Sequence, residues 1–295
     1  MTKRRNRFTL IELMVAVGLL SLIMMMLLQL FSGAQKLWVA SERTNNVYAD
    51  ARVAMELMTD VLTTVQFSHG EKVEGGKVVR DKTQDMIFSM DTKTTDDGRP
   101  SGSVIFVSKT TRDLPMKNTN TRFIQFRLGG SGDSKTKGKL LMLIYTDKNG
   151  ENTFYGFFPS YSGAGGNRNS ARTSLISAMN ALVTEFKSRV DNTTGGEYEY
   201  CQVIAENVVA FKLTAYRINS TSGKLEKQTD DTDIAEPPHM IEIQLTVLDP
   251  ESYRLYTELV DNNAPAARRQ EFLDQHKRTF TRSVFIGDRW ALETQ

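Results

Sequence analysis

Cysteine occurs once in this chain, at Cys201, so no intramolecular disulfide can form even in an oxidising compartment. The thiol lies in an apolar-alternating run, where a buried structural side chain is expected rather than a nucleophile. Histidine is scarce as well. His69, His239 and His276 are far apart and show no His-x-x-x-His or Cys-x-x-Cys spacing, so no local metal site is proposed by the sequence. Charge of one sign is also missing: the formal net charge is only +2, much of it near the N-terminus, and no basic field points to nucleic acid. There is no Gly-x-Ser-x-Gly elbow or kinase-type motif set, and the glycine-bearing stretches Gly129 to Gly138 and Ser162 to Ser174 lack the Lys-Ser/Thr ending of a phosphate loop. Asp230-Asp-Thr-Asp233 lacks the Gly and terminal Glu of an EF-hand loop and reads as an acidic turn. No catalytic residue, cofactor or metal is expected, and the protein is not expected to be an enzyme.

The most informative absence is of charge between Leu13 and Ala34. Residues Leu13 to Leu28 are apolar except for Ser21, and the uncharged run is long enough to cross most of a bilayer, which needs about 20 predominantly apolar residues. Lys3, Arg4, Arg5 and Arg7 precede it with no acidic residue among them, so the N-terminus is expected on the cytoplasmic side. A cleaved secretory signal offers a competing reading, with Ser32-Gly33-Ala34 before its cut. Its apolar region, however, is typically about 7 to 15 residues long, and this run is longer and headed by Glu12. An acidic side chain at the mouth of a lipid segment is costly and marks a site with a partner, of which an amine is the obvious kind.

The run Phe8-Thr9-Leu10-Ile11-Glu12-Leu13 resembles the N-terminal signature of type IV pilins and of the pseudopilins of type II secretion. The resemblance implies cleavage between Arg7 and Phe8 by a prepilin peptidase, methylation of the new amine, and pairing of Glu12 with the Phe8 amine of a neighbouring subunit during assembly. The family normally has Gly, sometimes Ala, before the cut, where this chain has Arg7. A second resemblance, to the minor pseudopilin J family, rests on Ala51 to Asp60, Val203 to Tyr216 and Pro237 to Leu248, the last two being paired sheet strands in that family. The charge-rich stretch from Asp249 to Arg278 departs from its pattern.

No proline occurs before Pro100, and beyond the lipid segment Leu37, Ala40, Thr44, Val47, Tyr48, Ala51, Ala54, Met55, Met58, Leu62 and Val65 recur at three- and four-residue spacings. One helix is therefore expected from about Phe8 to about Phe67, roughly 90 Å long. Alternating runs then predict antiparallel strands at Met86 to Met90, Ser103 to Ser108, Arg122 to Leu128, Lys139 to Tyr145 and Thr153 to Phe158, with Asp147 to Gly150 as a hairpin turn. Leu175 to Val190, Glu251 to Val260 and Ala264 to Lys277 read as helices. The expected organisation is a basic leader over residues 1–7, a transmembrane half-helix over 8–34, an amphipathic half over 35–67, and a β-rich domain over 68–295 with helical excursions near 174–190 and 251–277. The fold class is α+β, a long N-terminal helix packed on an antiparallel sheet.

These readings converge on a structural minor pilin or pseudopilin that helps initiate or cap a filament. It would be single-pass in a bacterial inner membrane, with a periplasmic C-terminal domain. Its expected partners are other minor pilins or pseudopilins, prepilin peptidase and the membrane, with no nucleic acid. The alternative is a secreted or membrane-anchored β-rich binding module with no assembly role.

Overall fold

The structure, a computed structural model, describes residues 9–66, 71–80, 88–94, 98–109, 121–130, 135–146, 168–188, 193–195, 199–219, 221–228 and 238–286. The chain divides into two compact units, Met1–Asn46 and Val47–Gln295. Helix α1 (Leu10–Leu62) contributes to both. It lacks proline throughout, and Ser21, Ser32, Thr44 and Thr59 are accommodated by bonding back to the preceding turn, as Thr59 Oγ1 does to the Met55 carbonyl at 2.7 Å. The helix ends where Thr63 and Thr64 turn the chain, and Val65 then bridges to Ser108.

In the second unit, two short strands, β1 (Glu71–Glu74) and β2 (Lys77–Arg80), form a hairpin across Gly75 and Gly76, both at positive φ. Among the described residues the main sheet has ten strands: β3 (Phe88–Thr94), β4 (Pro100–Lys109), β5 (Thr121–Leu128), β6 (Leu140–Thr146), β7 (Thr193–Gly195), β8 (Glu199–Ala205), β9 (Val208–Ile218), β10 (Leu225–Lys227), β11 (Met240–Val247) and β12 (Arg278–Phe285). Three further helices are α2 (Arg168–Ser188), α3 (Pro250–Asp261) and α4 (Ala266–His276). The order across the sheet is β12-β11-β9-β4-β5-β6-β8-β7, with β3 on β4 and β10 on β9. The fold is thus α+β, a long apolar N-terminal helix with a curled sheet.

The sheet is mixed rather than purely antiparallel, which corrects the expectation. Its ladders are antiparallel except where β4 meets β9, in parallel, at Ser101 and Phe211. The cause is the junction of β8 and β9. Val203 to Tyr216 reads as one block in the sequence, but Asn207 sits at φ 58 and bends the chain, so β8 pairs with β6 while β9 pairs with β11 and meets β4. Gly102 permits that approach: a Cβ there would lie 2.9 Å from the Phe211 carbonyl oxygen and 3.3 Å from Leu213 Cγ.

Period-two alternation sends the side chains of each strand to two different layers. On one face Val104, Phe106, Ile124, Phe126, Met142 and Ile144 pack with the buried stripe of α1, including Ala51, Met55, Met58 and Leu62. On the other, Ile105, Val107, Phe123, Leu141 and Leu143 pack with Leu175, Met179, Leu182 and Phe186 of α2. A third cluster joins Val209 and Leu248 to Tyr256 of α3 and Leu273 of α4. The stripe of α1 is buried only from Val47 onward; Leu37 and Trp38 are exposed. The expected strand Thr153 to Phe158, its hairpin turn Asp147 to Gly150 and the acidic turn Asp230 to Asp233 lie outside the described residues.

Candidate functional site: the exposed helix and its acidic start

The first unit presents an apolar helix surface that is exposed along its length. Every Leu, Ile, Val, Met and Phe from Leu10 to Phe31 is between 51% and 77% exposed. A helix that is hydrophobic nearly all round gains from leaving water, because burial of such side chains is the dominant favourable term in folding. The two serines of this region bond back to their own helix. Ser21 Oγ donates to the Val17 carbonyl at 2.8 Å and Ser32 Oγ to the Gln29 carbonyl at 3.0 Å, which removes free hydroxyl donors from the helix surface. Among the described residues α1 is the one helix long and apolar enough to cross a membrane, consistent with single-pass anchoring.

At its head, Glu12 is held by Thr9. The Thr9 amide and Thr9 Oγ1 each donate to Glu12 Oε2 at 3.0 Å, and the Glu12 amide donates to Thr9 Oγ1 at 3.3 Å. This reciprocal pattern is a capping box, in which an N-cap hydroxyl and a carboxylate three residues on satisfy each other's backbone amides. The carboxylate therefore has a partner within its own chain. Its second oxygen, Oε1, has none among the described residues. The Thr-x-x-Glu spacing at Thr9 and Glu12 is the sequence signal of such a cap. Arg7 and Phe8, the expected processing residues, lie outside the described residues.

The remaining candidates are dispersed. Cys201 is fully buried among α2-facing side chains, and burial pushes its pKa up to about 12 against a small opposing effect of Arg127, so the thiolate nucleophile is not available near neutral pH. His239 accepts from the Ile218 amide at 3.3 Å, and His276 stacks on Phe272 with ring centroids 4.4 Å apart. His69 lies outside the described residues. Among the described residues no group of three His, Cys, Asp or Glu side chains is placed to hold a metal ion. No protein-family model matches the chain, and no curated protein matches its sequence.

Proposed function

We propose that the chain is a minor pilin or pseudopilin, a structural subunit without catalytic activity that helps initiate or cap a filament of the type IV pilus or type II secretion kind. The observation that carries this reading is the surface of α1 from Leu10 to Phe31, apolar nearly all round and exposed, followed in the same helix by a stripe from Val47 to Leu62 that fills the core of a folded domain. Such a helix serves first as an anchor in lipid and then as a packing element among like helices, since both environments are apolar. The free Oε1 of Glu12, one carboxylate oxygen beyond the cap, is placed in this reading to receive the methylated Phe8 amine of a neighbouring subunit. The N-terminus would be cytoplasmic, the domain periplasmic, and the partners prepilin peptidase and other minor pilins or pseudopilins.

The capping box favours a second reading, because it gives Glu12 a role that needs no neighbour: an anchored β-rich binding module. Intact mass of the protein purified from membranes of its own cells separates the two. A methylated chain beginning at Phe8 supports the filament subunit. A chain beginning at Met1, or at Gln35 after a signal-type cut, overturns it.

A further inference from the structure

The sheet face under α2 is apolar at one end and polar at the other. Toward the polar end, register aligns Asp91, Ser103 and Arg127 across β3, β4 and β5, with Ser89, Gln125 and Lys93 beside them, while Arg172, Ile176 and Asn180 descend from one face of α2 at four-residue spacing. Between them lies a cleft of about 270 Å³. Its cations are unequally matched. Lys93 pairs with Asp91 at 2.9 Å, whereas Arg127 donates to Asn180 Oδ1 at 2.7 Å and Arg172 to Ser89 Oγ at 2.9 Å, both neutral acceptors. Among the described residues neither guanidinium has a carboxylate within ion-pair distance.

That arrangement is expensive for the empty protein. Burial pulls the pKa of Arg127 below its ordinary value, more than Cys201 acts to raise it, as expected of a cation partly withdrawn from water. A guanidinium has five donors in a planar fork, and one hydrogen bond to an amide leaves most of them to be met from the cleft. Oxyanions match that fork in two-point geometry, and charge-assisted bonds of this kind are roughly twice as strong as neutral ones. Gln125, only 5% exposed, donates its amide to Ser103 Oγ at 2.8 Å, which orients that hydroxyl's own proton away from Gln125, while its Oε1 has no hydrogen-bond partner among the described residues.

We infer that this cleft binds a small dianion of phosphate or dicarboxylate chemistry, held by the guanidinium forks of Arg127 and Arg172 with Lys93 at the mouth. The site is independent of α1 and of the reading proposed for it. Melting of the full chain in detergent, with inorganic phosphate, succinate or chloride added at matched ionic strength, tests it. A saturable rise in melting temperature on the order of 5 °C is expected with phosphate or succinate, whichever the cleft accepts, and none with chloride. Arg172→Gln should shift the half-saturating concentration at least tenfold upward. Arg127→Met should melt close to wild type without anion, because it replaces a half-buried charge by an apolar side chain of similar length, and should lose the rise. No rise with either dianion, or an equal rise in wild type and both variants, overturns the inference.

Discussion

Glu12 has two claims on its carboxylate, and they separate under mutation. If its contribution is the cap alone, Thr9→Val and Glu12→Leu should have effects of similar size, since each removes the hydroxyl–carboxylate bond and one of the two backbone-amide bonds of the cap. If it also receives a neighbour's amine, Glu12→Leu should abolish co-purification with partner subunits while Thr9→Val leaves it largely intact, and the melting temperature of the domain should be unchanged in both. Glu12→Asp should be intermediate, with charge kept and reach shortened. Wild-type filament assembly or secretion by Glu12→Leu in cells lacking the native copy would remove the pairing role. A different carboxylate, Asp249, caps α3 by accepting from the amides of Glu251 at 3.2 Å and Ser252 at 3.1 Å. Partial burial raises its pKa, and the hydrogen bonds from Ser252 and Glu251 outweigh that and hold it below the usual carboxylate value. A depressed folded-state pKa contributes stability above the unfolded value, about 3.9, and that contribution is lost as pH falls through the folded one. Asp249→Ala should therefore cost about 1 kcal/mol at pH 7 and less at pH 3, measured by urea titration at both.

Among elements, α1 between Val47 and Leu62 is the one the core depends on most. Met58 is fully buried, and truncating such a side chain leaves a cavity that the surrounding strands cannot fill. Met58→Ala should cost roughly 2 to 5 kcal/mol in chemical denaturation, whereas Leu37→Ala, at an exposed position of the same helix, should leave domain stability within about 0.5 kcal/mol. Equal effects would show that the buried stripe begins earlier than Val47. The helices were legible because their periodicity is strong: Glu251 to Val260 and Ala264 to Lys277 correspond closely to α3 and α4, whereas α2 starts at Arg168, ahead of the expected Leu175, because its first turns are polar and carry no apolar spacing. β12 was not, for a physical reason. Phe280, Arg282 and Val284 share one face, so an exposed charge interrupts the apolar alternation, and the other face carries Thr279, Thr281 and Ser283. β10 is three residues, all exposed, and carries no pattern. The cleft under α2 was out of reach for another reason. Arg127 and Asn180 are 53 positions apart, and only strand register together with the seating of α2 brings them together.

For the whole molecule, the division into two units predicts separable behaviour. A chain beginning at Gln35 loses the lipid-type surface and keeps every buried residue of the core from Val47 onward, so it should be soluble and monomeric, with a cooperative unfolding transition. Recovery only as aggregate, from cells in which full-length protein in detergent is folded, would contradict that division. The bond from Arg278 Nε to Tyr48 Oη, 3.1 Å long, joins residues 230 positions apart, and the ring of Phe280 meets that of Tyr48 edge-on at 6.0 Å. During synthesis the stripe on α1 emerges before any strand that will cover it, and the strand reaching Tyr48 is made last of all those described. Native contacts of such long sequence separation form slowly, because the intervening chain must be closed before they are rewarded. A ribosome stalled before Arg278 therefore holds a chain whose helix is complete and whose sheet still lacks an edge. That nascent interval, rather than the finished protein, is when the domain most needs shielding from association with other chains.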